Sequence, residues 1–314
     1  MNKTNAPHLS GYQARDFEVI DYQMTKLAGT SLMFRGPIDT MLKNGDYFVC
    51  VGAAQTFGCF CDNPYPQLLS SKLELPYLNL GYGGAGPEFF AKQESLDPIL
   101  NNAKFIVVQT MSGRSQSNSL YDCDGLELLT RRSDGQQISS LRAYQDLVDG
   151  SEFVRAFPPK RLTAAIARRL GIPRSRTVVS ETRQLWIENH ENWLKRIEVP
   201  KVLLWFSQRQ PEYEEGYLSV SQLFAAFPQL INQQCIEAIK PEFDEYVECV
   251  TSRGFPHKLI SRFTGKPTTV DPSNDRADLG GETWTHDNYY PSPEMHEDAA
   301  QALETAIRNR GLFE

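Results

Sequence analysis

The chain has 314 residues, 40% of them hydrophobic and 23% charged, with a formal net charge of −7. This is the composition of a soluble globular protein of one large or two ordinary domains. The acidic balance, with no block of like charge, argues against a binder of nucleic-acid phosphates, and no apolar run approaches the ~20 residues of a membrane helix.

Residues 1–45 precede the first strong element and are expected to form an N-terminal arm or lid. The polar start, Met1 to Ser10, lacks the basic-then-apolar pattern of a leader, so the cytoplasm is the expected compartment. Tyr47–Val51 is the first of five apolar runs that read as buried parallel strands, because they are continuous rather than alternating. The others are Tyr77–Leu80, Lys104–Gln109, Lys201–Phe206 and Tyr246–Val250. Helical patterns lie between them at Pro66–Leu73, Glu88–Asn101, Leu162–Leu170, Ser180–Ile197 and Leu223–Ile239, and Ser292–Arg308 closes the chain. Strand–helix alternation predicts an α/β fold: a doubly wound, mostly parallel five-stranded sheet of flavodoxin-like order 2-1-3-4-5, helices on both faces. Residues 46–314 then form one domain, with an insertion at about 110–160 rich in Ser, Asp, Gly and Arg. The six cysteines, Cys50, Cys59, Cys61, Cys123, Cys235 and Cys249, read as reduced buried thiols, and a lone Cys-x-Cys without a second pair argues against zinc.

Ligands of open α/β sheets bind beyond the carboxyl ends of the strands. Those ends carry Gln55 and Thr56; Gly81–Gly86 with Tyr82; Ser112 to Ser119, including Arg114, Ser115 and Asn118; Ser207 to Arg209; and Ser252 to Gly254, including Arg253. The last helix opens at Asn288–His296. Singly, each has a structural explanation, such as a turn, a helix cap or a solvated charge. Jointly, the fold aims them at one rim. Tyr82, Trp205, Tyr289 and Tyr290 are rim aromatics able to stack on sugar rings.

The strand ending in Gly52-Ala53-Ala54-Gln55 and the late His296 resemble the SGNH (GDSL-like) hydrolase superfamily. That family's Gly-Asp-Ser block maps to Gly52, Ala53 and Ala54, so the serine nucleophile is an alanine. Its glycine block maps near Gly83, its asparagine to Asn118, and its Asp-x-x-His block to Pro293 and His296. Gln55–Gly58, Asn79–Pro87 and Tyr289–His296 also resemble an uncharacterised bacterial family associated with surface-polysaccharide genes. Gly52 and Gln55 are similar to the Gly-x-x-Gln of capsule-biosynthesis proteins that suggest coenzyme A binding.

Alanine has no lone pair with which to attack a carbonyl. Ala54 is then a substituted serine, or the nucleophile stands elsewhere, at Ser112 or Ser115, or none is used. The resemblance implies three functions. The first is a transferase that moves a small acyl or sulfuryl group from an anionic donor onto a carbohydrate or polyol hydroxyl. There His296 is the base, Gln55 orients the substrate, and the Ala54 N–H, Gly83 and Asn118 hold the oxyanion. No cofactor is bound tightly, and a coenzyme A thioester or adenosine nucleotide is the expected donor, held by Arg114, Arg209 and Arg253 because guanidinium groups suit bidentate anions. The second is an esterase with a displaced serine. The third is a degenerate hydrolase fold kept for binding.

Overall fold

The computed structural model describes residues 16–38, 42–150, 164–270 and 283–312. Its central sheet has five parallel strands: β1 (Phe48–Gly52), β2 (Tyr77–Gly81), β3 (Ile106–Gln109), β4 (Lys201–Ser207) and β5 (Glu245–Val250). They lie in the order β2-β1-β3-β4-β5, as the apolar runs predict.

Strand side chains alternate between faces, so each run feeds two cores. Val49 and Val51 of β1 and Ile106 and Val108 of β3 pack with Phe90, Trp193 and Leu194 on one side. Phe48, Cys50 and Val107 pack with Tyr65, Leu69, Met295 and Leu303 on the other. Both faces being covered explains why the runs are apolar throughout rather than at every second residue.

Among the described residues the α-helices are α1 (Ala54–Phe57), α2 (Tyr65–Leu73), α3 (Pro87–Ala91), α4 (Asp97–Asn101), α5 (Ser140–Val148), α6 (Ala164–Leu194), α7 (Val220–Phe224), α8 (Gln233–Ile239) and α9 (Pro293–Arg310). Three helical expectations change. The stretch Glu88–Asn101 divides into α3, a 3-10 turn at Glu94–Leu96, and α4, which opens with Pro98 in its first turn, where a missing N–H costs nothing. The stretch Leu223–Ile239 divides into α7 and α8. Ala225 takes a left-handed φ of +53°, and Asn232 starts α8 afresh by accepting the Cys235 N–H. Conversely, the two segments before β4 are one 31-residue helix, α6, with Pro173 inside it. There the Ser175 hydroxyl donates to the Gly171 carbonyl, and Gly171 packs so closely on the Leu147 carbonyl that a Cβ would approach it to 2.8 Å. Tertiary contact overrides the helix-breaking tendency of Gly and Pro. The expected start at Leu162 lies outside the described residues.

The stretch after β3 holds a three-stranded antiparallel sheet (Tyr121–Asp122, Leu128–Arg131, Gln137–Ser139) followed by α5. Tyr121, Leu129, Tyr144 and Val179 give this unit a core of its own. At the N-terminal side, Thr25–Lys26 and Met33–Phe34 form a short hairpin. From it Arg35 donates to the carbonyls of Phe57, Gly58 and Asp62, which ties the hairpin to the end of α1. All six cysteines are free and buried. Among the described residues no helix is long and apolar enough to cross a membrane.

Candidate functional site

The turn after β1 is built by close packing. A Cβ on Gly52 would come within 2.2 Å of Thr56 Oγ1 and 2.6 Å of Gln109 Oε1, and one on Gly81 within 2.1 Å of the Phe57 nitrogen. Glycine at both positions lets α1 sit directly on the sheet edge. Gln109, the last residue of β3, holds the turn. Its Oε1 accepts the Ala53 N–H at 3.1 Å and the Thr56 hydroxyl at 3.4 Å. From β2, Asn79 Nδ2 donates to the Thr56 carbonyl at 2.9 Å. Ala53, Ala54 and Gln55 are thereby fixed as the floor of a depression at the carboxyl ends of the strands.

That depression has two connected parts. A pit of about 10 Å3, the room of a single water, lies over Ala53, Ala54, Gln55, Gly84 and Ala85. Its walls include Ser112, Arg114, Ser115, Glu127, Tyr289 and Tyr290. A groove of about 300 Å3 shares Gln55, Phe227 and Tyr289 with the pit. Phe206, Phe255 and Met295 give it apolar surface, and Ser207, Gln208, Gln229 and Asn288 give it polar surface. No charged side chain lines the groove among the described residues. In the pit the two charges neutralise each other: Arg114 and Glu127 are paired at 2.8 Å, with the guanidinium carbon 6.0 Å from the centre of the Tyr289 ring. Three buried oxygens of residues that line these cavities have no hydrogen-bond partner: Gln55 Oε1, Ser115 Oγ and Gln229 Oε1. Leaving such atoms unpaired costs about 1–3 kcal/mol each, so they mark places where a ligand atom gains most.

Of the expected site residues, Gln55, Ala54, Ser112, Ser115 and Arg114 meet at the pit. Gly84, not Gly83, reaches it. The others are held by the scaffold. His296 is fully buried. Its Nδ1 accepts the N–H of Tyr65 at 3.2 Å, filling the first turn of α2 where Pro64 has no capping side chain. Its ring stacks on Tyr65 and meets Phe206 edge-on. Burial first, then the positive Arg35 and the neighbouring His257, pushes its pKa down to about 3. A neutral imidazole enclosed by aromatic rings and lining neither cavity is not placed to take a proton from a substrate there.

Asn118 fixes a turn: its Oδ1 accepts the N–H groups of Leu120 and Tyr121, and its Nδ2 donates to Thr182. Arg209 is a clamp, donating to the carbonyls of Ala226, Gln210, Pro211, Pro228 and Ile231 and stacking between Trp205 and Tyr213. Burial pushes its pKa down to about 10. Arg253 lies outside, bound to Asp298 and Glu297 on α9. Tyr82 packs on Phe89 and Phe34, and Trp205 is fully buried with its Nε1 on the Arg209 carbonyl. The three arginines that suggested an anionic donor therefore do not converge.

Four contributors escaped the sequence reading. Gln109 follows an apolar strand and looks like its ordinary end. Gln229 and Phe227 lie in a stretch read as continuous helix. Asp287 is the fourth. Its Oδ1 accepts the N–H groups of Tyr289 and Tyr290, at 2.9 and 3.1 Å, and so shapes the loop that brings both rings to the pit. Asp287 and Tyr290 have the Asp-x-x-His spacing, with tyrosine in place of histidine, and it is Tyr290 rather than His296 that shares the pit with Ala54. The Asp287 carboxyl is fully buried, which pushes its pKa up to about 7 against the two N–H groups that lower it, and its Oδ2 lies 3.8 Å from His257 Nδ1.

A five-stranded parallel sheet of order 2-1-3-4-5, with its cavity over the turn after β1 and a long closing helix, is a doubly wound α/β fold of flavodoxin-like order. The chain belongs to the family described as Domain of unknown function (DUF6473), which it matches over residues 11–311. No curated protein matches it. Similar solved structures include a lipolytic protein of the G-D-S-L family from Desulfitobacterium hafniense DCB-2, at 10% identity and a TM-score of 0.36, covering 83% of this chain and 99% of that one. The lipase Lip_vut3 from a goat rumen metagenome has 10% identity and a TM-score of 0.40, covering 82% and 96%. A catalytic mutant of Axe2, an acetylxylan esterase from Geobacillus stearothermophilus, has 12% identity and a TM-score of 0.37, covering 86% and 96%. At that distance the chemistry of the site has to be read from its own side chains.

Proposed function

We propose that the protein binds a carbohydrate or other polyol in the groove beside Ala54, and that it acts by recognition rather than by a serine–histidine hydrolysis. The observation that carries this reading is the groove lining: aromatic rings interleaved with carboxamides and a serine, and no charge among the described residues. Sugar hydroxyls donate and accept hydrogen bonds together, which a carboxamide matches with one acceptor and two donors. The C–H faces of a sugar ring suit Phe206, Phe227, Phe255 and Tyr289, and a mostly apolar pocket with a few placed polar groups is the usual form of a small-molecule site. Against turnover stand Ala54 at the position the resemblance gives the nucleophile, and His296, which lines neither cavity and is bonded through Nδ1 to the first turn of α2. Isothermal titration with neutral oligosaccharides tests the proposal. Saturable binding that is lost in Gln55→Ala and Gln229→Ala supports it, and the absence of binding to any saccharide refutes it.

A second reading, acyl transfer through a displaced serine, is favoured by one observation. Ser115 Oγ is buried in the pit and without a partner. Covalent labelling of Ser115 by a fluorophosphonate, lost in Ser115→Ala, would move the assignment to that reading.

A further inference from the structure

We infer that the ligand of the groove is an uncharged sugar, and that uronic, phosphorylated and sulfated sugars are refused. This rests on the carbohydrate reading above and narrows it to a substrate class.

Three observations lead there. First, the groove offers hydrogen-bonding capacity without charge. Gln55 and Gln229 approach it from α1 and from the turn before α8, and each has an unpartnered buried Oε1. Gln229 Nε2 is already engaged with the Tyr289 hydroxyl at 3.0 Å, which leaves its carbonyl oxygen as the group without a partner. A lone pair calls for a hydroxyl donor. A carboxylate, phosphate or sulfate oxygen brought to the same place sets lone pair against lone pair.

Second, the nearby cations are matched to protein groups. Arg114 is paired with Glu127 at 2.8 Å in the pit. Arg209 is bound to backbone carbonyls, and Arg253 faces Asp298 on the outer side of α9. An anion entering the groove loses hydration and finds no cationic side chain on its lining among the described residues. Burying a charge without a partner costs several kcal/mol, more than the stacking of one ring returns.

Third, the arrangement is rigid. The Gln109 side chain holds the Ala53 N–H from below, Asp287 holds the Tyr289 and Tyr290 N–H groups from behind, and Ser112 Oγ accepts the Arg114 N–H at 3.2 Å. Turning the Arg114 guanidinium to an anion requires breaking its pair with Glu127, which is the cost set against a charged ligand.

Calorimetric titration of the full chain with two sets of probes tests this. The neutral set is cellotetraose, xylotetraose and mannotetraose; the anionic set is tetragalacturonate and a sulfated heparin tetrasaccharide. The expected result is binding of at least one neutral probe, with an affinity indifferent to salt, and no binding of the anionic set. Glu127→Gln, which releases Arg114 from its carboxylate, is expected to admit tetragalacturonate. Gln229→Met, which removes the carbonyl acceptor, is expected to weaken the neutral sugar by about tenfold, the loss of one hydrogen bond to a groove oxygen. Binding of tetragalacturonate or the sulfated probe by the unaltered protein, weakening as salt rises, overturns the inference and leaves the carbohydrate reading standing. Binding of neither set overturns the carbohydrate reading itself, and this inference falls with it.

Discussion

Two neighbouring regions at the carboxyl edge of the sheet contain similar residues put to opposite use. In the pit and groove, Gln55, Ser115 and Gln229 keep hydrogen-bonding atoms without a partner. Immediately behind them, Arg209 and Asn118 are bonded into the scaffold, and His296 is tied to it through Nδ1 while its buried Nε2 has no partner. The first region is held open by its surroundings; the second holds the surroundings together. A residue of functional type at the expected edge of an α/β sheet is therefore not enough. What decides its role is whether the scaffold leaves the side chain at the cavity wall, as it does Gln55, Ser115 and Gln229 and does not His296, Arg209 or Asn118.

The strongest break of this comparison is His296→Ala. It removes a fully buried ring and the acceptor for the Tyr65 N–H, and a loss of about 3–4 kcal/mol in urea unfolding is expected, with sugar affinity of the folded protein unchanged. A drop in affinity without loss of stability would return His296 to the site. Next is Arg209→Ala, which unclamps the carbonyls of Ala226, Pro228 and Ile231 and is expected to lower stability by about 2–3 kcal/mol. The same change at exposed Arg253, bound to surface carboxylates, is expected to leave the melting temperature where it was.

A smaller effect follows from Asp287. Its carboxyl is raised from the model-compound value of 3.8 to about 7, so the folded chain keeps a proton there that the unfolded chain has released. Stability therefore falls as pH rises from about 4 to about 7 on account of this group, and Asp287→Asn removes that contribution. Burial lowers His296 to about 3 and His190 to about 4, which works in the other direction. The unfolded chain binds protons below about 6.5 that the folded chain refuses, so these two groups cost stability as pH falls from there. Denaturant titrations of the wild-type and Asp287→Asn proteins at pH 5 and 7 separate the two slopes; parallel curves would show that Asp287 ionises normally. The smallest expected effect is a null one: Ala54→Ser restores a hydroxyl over a pit without an imidazole, and p-nitrophenyl acetate hydrolysis should stay at background. A burst of nitrophenol would show that a base reaches the pit after all.

The sheet was legible because burial on both faces makes each strand apolar along its whole length, as in Phe48–Val51 and Ile106–Val108. The turn after β1 was legible for the same reason: a glycine between an apolar strand and a helix has few other uses. Gln55 could be placed because it is locked to that turn. Arg209 could not, since its fate depends on carbonyls up to 22 residues away that a turn brings beneath it. Nor could Gln229, whose place depends on where the chain breaks between α7 and α8.

What the sequence by itself determined was the layering of this protein and the edge on which its cavity opens, because hydrophobic period and glycine position act locally along the chain. Which polar side chains face that cavity was decided only by the tertiary structure. A hydrogen-bonding atom is indifferent to sequence distance, and whether it meets a ligand or a carbonyl of its own backbone depends on packing that no single segment encodes.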